Sequence, residues 1–108
     1  MKDNIIKVVL HVSNIDQINR MQNNINNLLK EDDSNVINIV INGEAVRNFT
    51  VDNSNIKINT NATYYLCNNS LNSYGIDINK VISGTKITAS GVFKLALLQN
   101  EGFLYIKV

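Results

Sequence analysis

The chain has 108 residues, which suits one domain with a modest core. Apolar content of 44%, charged content of 18% and a formal charge of +1 are ordinary for a globular protein. They give no electrostatic reason to expect nucleic acid or an anionic membrane, and the scattered basic residues form no run.

Ile5-Ile6-Lys7-Val8-Val9-Leu10-His11-Val12 is a near-continuous β-branched run and reads as a strand covered on both faces. Ser13 or Asn14 can cap the helix that follows. In it Ile15, Ile18, Met21 (or Gln22), Ile25, Leu28 and Leu29 recur at three- and four-residue spacing, an amphipathic helix of about four turns. Asp32, Asp33 and Ser34 end it. Val36 to Ile41 is the second strand, with Asn42-Gly43 as its exit turn, and Glu44 to Phe49 is a short helix.

Thr50 to Asn61 is polar and asparagine-rich, with only Val51, Ile56 and Ile58 to bury; it reads as loop with at best a helical turn. Thr63 to Cys67 is the third strand. Asn68 to Tyr74 is a short helix that Gly75 is placed to end. Ile76, Ile78, Val81 and Ile82 pack a connector, and Thr85 to Thr88 is a short fourth strand. Ser90 caps a helix whose buried face is Val92, Phe93, Leu95, Ala96 and Leu97-Leu98. Phe103 to Val108 is the last strand. Strands alternating with helices imply an α/β domain, residues 1–108, with a mainly parallel sheet and helices on both faces.

No stretch is long and apolar enough to cross a bilayer, and Asp3 and Asn4 interrupt any secretory signal. A single cysteine cannot form an intramolecular disulfide. A cytoplasmic location is therefore the default. The abundance of asparagine, isoleucine and lysine fits an AT-rich genome, so the triplets at Asn48, Asn61 and Asn68 carry no weight as glycosylation sites.

In an open parallel sheet, ligands meet the carboxyl ends of the strands. Here those ends carry His11 and Ser13, Asn42 and Gly43, Cys67 to Asn69, and Ala89 to Gly91. Cys67 is the only cysteine. It closes the run Ala62-Thr63-Tyr64-Tyr65-Leu66 and opens the polar stretch Asn68-Asn69-Ser70-Leu71. Helix-start amides of Asn68, Asn69 and Ser70 would stabilise the thiolate, the nucleophilic form. Against this, free cysteine often only fills space in a core. His11, the only histidine, reads either as a hydrogen-bonded core residue or as a proton shuttle at the same rim. Ser90-Gly91 reads as a simple N-cap or as an anion site at a helix start. Tyr64-Tyr65 alternates across a strand, so one ring enters the core and the other faces a helix or a partner subunit. One histidine and one cysteine are too few for a structural zinc site. No Walker-type or GxGxxG pattern is present.

In order along the chain stand a strand ending in His11, Asn27-Leu28-Leu29, a strand ending at Gly43, Cys67-Asn68-Asn69-Ser70-Leu71, Thr88-Ala89-Ser90-Gly91-Val92, and Gln99-Asn100-Glu101-Gly102-Phe103-Leu104-Tyr105. This series resembles the DsrE family of small sulfur-relay proteins. The resemblance implies a three-layer α/β/α sandwich with a five-stranded mainly parallel sheet. It implies a homo-oligomer (dimer, trimer or hexamer), a cytoplasmic location, and no metal or other cofactor. In relay members a cysteine matching Cys67 accepts sulfur as a persulfide and passes it on, working with a sulfur donor protein and a sulfur acceptor protein. The segment between Val46 and Cys67 departs from the family pattern. It is shorter than usual and too polar for the amphipathic helix expected there.

The leading expectation is thus a persulfide carrier acting through Cys67, with His11 beside it and Gly43, Asn68, Asn69, Ser70, Ser90 and Gly91 forming the binding rim. The alternative is a non-catalytic module that binds a small molecule or anion, or a structural oligomer, with Cys67 only lining the pocket. The apolar edge Phe103-Leu104-Tyr105-Ile106 would then pack across subunits.

Overall fold

A computed structural model describes residues 5–53 and 55–108. Asp3 and Asn4, and Ser54 within the asparagine-rich loop, lie outside the described residues. The elements follow the order β1 (Lys7–Val12), α1 (Ile18–Glu31), β2 (Val36–Ile41), β3 (Ala62–Cys67), α2 (Asn68–Ser73), β4 (Lys86–Thr88), α3 (Gly91–Asn100) and β5 (Leu104–Lys107). Among the described residues, three 3-10 helices join them, at Ile15–Gln17, Gly43–Phe49 and Ile78–Lys80. The five strands of the described residues form one sheet in the order β4-β3-β2-β1-β5. Every pairing is parallel. The expected α/β architecture is the one observed.

The order explains the strand sequences. β1 and β2 are central and covered on both faces, so nearly every residue in them is buried. Alternate residues enter two different cores. Val8, Leu10 and Val12, with Ile37, Ile39, Ile41, Tyr64 and Leu66, face the larger core under α1, α2 and the 3-10 helix Gly43–Phe49. Val9 and Val40 face a smaller core under α3, closed by Leu95 and Leu98 with Tyr65 and Phe103. The two tyrosines divide as expected. The Tyr64 ring packs against Phe49 with centroids 6.3 Å apart, and its hydroxyl accepts a hydrogen bond from the Asn59 amide at 3.0 Å. Tyr65 faces α3.

α1 buries Ile18, Met21 and Ile25, which resolves the choice between Met21 and Gln22. Asn14 caps the 3-10 helix Ile15–Gln17 that leads into it, in a reciprocal arrangement with Gln17. Buried Asn35 ties the far end. Its carboxamide donates to Leu28 O at 2.9 Å and accepts from the Ile6 amide at 3.0 Å. The described residues of the loop from Thr50 to Asn61 form turns and irregular backbone, apart from a single bridge between Thr50 and Val81.

Three expectations fail in detail. The first strand begins at Lys7, and Ile5 is exposed beyond the sheet. Ile78 is exposed on its 3-10 helix, while Ile76, Val81 and Ile82 do pack against the core. The largest correction concerns α3. Only Gly91, Leu95 and Leu98 are buried, whereas Val92 is 71% exposed, Phe93 is 65% exposed and Ala96 is exposed. A lone helix on one face of a sheet buries only the residues at three- and four-residue spacing. The outer side of α3 has nothing packed on it among the described residues.

Candidate functional site

Strand register brings the expected rim together. Cys67 ends β3 level with Thr88 of β4, and it follows Leu66, which is level with Ile41 of β2. Asn42, one residue past β2, therefore lies beside Cys67 on the α3 face. The Cys67 backbone is extended, and α2 starts at the next residue.

Four donors surround the sulfur. The Gly91 amide donates to Cys67 Sγ at 3.3 Å. The Ser70 hydroxyl and the amides of Ser70 and Asn69, at the start of α2, lie near enough to favour its charged form. Ser70 Oγ in turn accepts from the Gly43 amide at 2.9 Å, which leaves its proton for the thiol. Burial opposes the charged form, but the Ser70 hydroxyl and the amides of Ser70, Gly91 and Asn69 outweigh it. The thiol is held below its ordinary value. Ser70→Ala removes one thiol donor and strands the Gly43 N–H. The Cys67 pKa is expected to rise, slowing its alkylation at neutral pH, and stability is expected to fall by about 1–3 kcal/mol in urea titration.

Two glycines make this packing feasible. Gly43 has φ +58°, and a Cβ there would meet Ser13 O at 3.0 Å. At Gly91 a Cβ would lie 3.2 Å from Cys67 Cβ, 3.3 Å from Asn42 Cβ and 3.5 Å from Cys67 Sγ. Both Cβ neighbours are fixed to backbone at the ends of paired strands and cannot swing away. Gly91→Ala should push the start of α3 outward, lengthen its bond to sulfur and cost about 1–3 kcal/mol. A lowered thermal midpoint together with a raised thiol pKa would show both effects.

His11 does not touch Cys67. It is level with Val40 on β1, and β2 stands between it and β3. Two strand spacings put it about 10 Å away. Its ring nitrogens are already engaged, Nε2 with Asn42 Oδ1 at 2.9 Å and Nδ1 with the Tyr105 hydroxyl at 2.7 Å. Asn42 Oδ1 can only accept, so Nε2 carries the proton and Nδ1 accepts from Tyr105. Burial lowers the His11 pKa; the Asn42 bond works against this, and the charge of Lys107 adds to it. The native state thus resists a proton that the unfolded chain accepts near pH 6.5. This contribution to stability is full above that pH and is lost as pH falls through the window below it. Urea midpoints should drop between pH 7.5 and 5.5, and His11→Gln should flatten the slope.

The remaining expected residues have these places. Ser90 Oγ accepts from the Phe93 amide at 3.3 Å as an N-cap. The Gly91 amide of the same helix start is spent on sulfur rather than left for an anion. Asn68 follows Cys67, and its Oδ1 is buried without a hydrogen-bond partner. Asn69 contributes its amide. Asn42 stands among the strand-end residues expected at the rim, but its bond to His11, like that of Tyr105, is not legible in the sequence. Asn42 is signalled by its place before Gly43, and Tyr105 by nothing short of the β1–β5 pairing. Among the described residues, no group of three or more His, Cys, Asp and Glu side chains is placed to hold a metal ion. A cleft of about 530 Å³ between α1 and residues 57–60 is lined by Gln22, Asn26, Lys57 and Tyr64 among others, and Cys67 does not line it.

No protein-family model matches the chain, and no curated protein matches it. Solved structures do. A protein of unknown function, MTH1491 from Methanobacterium thermoautotrophicum, superposes with a TM-score of 0.85 at 23% identity, over 95% of this chain and 99% of that one. The YchN protein from E. coli superposes with a TM-score of 0.76 at 14% identity, over 96% of this chain and 100% of that one. These likenesses establish the fold. Among the described residues, no helix is long and apolar enough to cross a membrane.

Proposed function

We propose that this chain is a DsrE-like sulfur carrier of the cytoplasm in which Cys67 holds a persulfide. The observation that carries the reading is the Gly91 amide of α3 bonded to the Cys67 sulfur at 3.3 Å, at the place where the start of α2 brings the Ser70 hydroxyl and the Ser70 and Asn69 amides toward the same atom. The Cys67 thiolate attacks the outer sulfur of a donor persulfide. A new S–S bond forms, the donor S–S bond breaks, and the donor leaves as a thiol that takes the persulfide proton. The donors that held the thiolate then hold the persulfide. An acceptor thiolate attacks its outer sulfur and restores Cys67. No second cysteine exists to resolve the persulfide, so sulfur leaves to another molecule. His11 acts on this site through Asn42, as a positioning residue rather than as a direct proton acceptor.

Homo-oligomerisation belongs to the same reading. β5 is an edge strand whose Leu104 and Ile106 are 57% and 41% exposed, which favours pairing with a second copy. The alternative, Cys67 as mere lining of a binding module, is favoured by one observation: Cys67 is only 6% exposed. Incubation with a small persulfide followed by intact mass measurement separates the two. A carrier gains one sulfur atom. A lining cysteine gains none and stays unalkylated until the protein unfolds.

A further inference from the structure

The charges of the fold are unevenly placed. Lys7, Lys86, Lys94 and Lys107 lie on the α3 side of the sheet or on α3 itself, with Glu101 as the carboxylate of that side. The other carboxylates of the described residues lie on elements packed against the opposite face or on the loops joining them. Two of the lysines converge. Lys94 Nζ of α3 and Lys86 Nζ of β4 stand 4.3 Å and 6.0 Å from the centroid of the same Tyr65 ring. Neither is paired with a carboxylate among the described residues. Lys94 also sits in the first turn of α3, where the helix dipole disfavours a cation. Two like charges over one ring, one of them at the wrong end of a helix, contribute little to folding and favour an anion from outside.

The same turn of α3 presents Val92 and Phe93 almost bare to solvent, although a helix start is ordinarily polar. Directly beneath it the Gly91 amide reaches the Cys67 sulfur, and Thr88, two residues beyond Lys86, is level with Cys67. Two exposed apolar side chains on the first turn of α3, and two ammonium groups gathered over Tyr65 beside it, thus lie next to the glycine that bonds the Cys67 sulfur and make a surface of defined complement. We infer that the first turn of α3, with Lys86 and Tyr65, is the docking surface for the polypeptide that exchanges sulfur with Cys67. The docking segment of that partner is acidic, with an apolar residue for Phe93 and carboxylates for Lys86 and Lys94. This rests on the sulfur-carrier reading and names the character of its partner. A protein segment fits better than a second copy, because the open backbone edge of β5 offers that copy a different surface. It fits better than RNA, because the patch is short and half aliphatic rather than a basic stripe able to track a phosphate backbone.

Fluorescence anisotropy with two labelled synthetic peptides tests this. Both carry a central Leu-Cys pair, flanked in one by glutamates and in the other by lysines. The acidic peptide should bind about tenfold more tightly, with an advantage that shrinks as salt rises. The Lys86→Gln/Lys94→Gln pair should abolish the preference, and Phe93→Asp should weaken the acidic peptide further. Equal binding of the two peptides, or a preference that survives the double lysine variant, overturns the inference. So does tighter binding of a single-stranded RNA of equal charge, or a wild-type dimer that Phe93→Asp dissociates. Loading with a neutral small persulfide runs in parallel on the same proteins. The double lysine variant should load as the wild type does. Failure of loading counts against the sulfur-carrier reading; failure of peptide discrimination counts against the docking surface.

Discussion

Cys67→Ser is expected to abolish sulfur loading completely while leaving the fold in place. A serine hydroxyl stays neutral at any pH the protein tolerates, so the donors from Ser70, Asn69 and Gly91 would face no anion. Nor can an oxygen carry a persulfide. The structural cost is small, because the substituted atom remains an acceptor for the Gly91 amide and the volume change is less than a methylene. A thermal midpoint within a few degrees of wild type, together with no mass gain from a small persulfide, is the predicted pair of results. Retained mass gain in the variant would place sulfur somewhere other than Cys67, the only cysteine, and would remove the basis of the carrier reading.

Phe49→Ala should produce the largest loss of stability of any single change considered, about 3–5 kcal/mol. Phe49 is fully buried, at the end of the 3-10 helix Gly43–Phe49 and against the Tyr64 ring. The segment after it, Thr50 to Asn61, supplies little apolar surface that could relax into the vacated space. A domain of this length is stable by roughly 5–15 kcal/mol, so the loss is a large share of the total. It also reaches the site. The 3-10 helix that Phe49 anchors begins at Gly43, whose amide bonds Ser70 Oγ. Urea unfolding should show a much lower midpoint at nearly unchanged slope, and the thiol of the variant should alkylate with altered pH dependence. A change below 1 kcal/mol would mean that the 3-10 segment is not part of the cooperative core.

Much of the fold is legible in the residues, and the reason is local. Val36-Ile37-Asn38-Ile39-Val40-Ile41 reads as a doubly covered strand because β2 is central, and Met21 and Ile25 read as a stripe because α1 has one buried face. Val92 and Phe93 mislead because apolar composition alone does not say whether a helix has a second neighbour. In the site, the Asn69 and Ser70 donors are legible because they follow Cys67 directly. The Gly91 donor is not, since it lies 24 residues away and arrives only through the crossover from β4 to α3. His11 and Cys67 both stand near strand ends, yet only the strand order reveals that β2 separates them.

The central claim is that Cys67 is an activated thiol rather than a filler of space. The most direct test is the rate of Cys67 alkylation by iodoacetamide in the native protein as a function of pH. The account predicts a single inflection below the ordinary cysteine range, moved upward by Ser70→Ala. An inflection at or above that range, or no reaction until the protein unfolds, would contradict it.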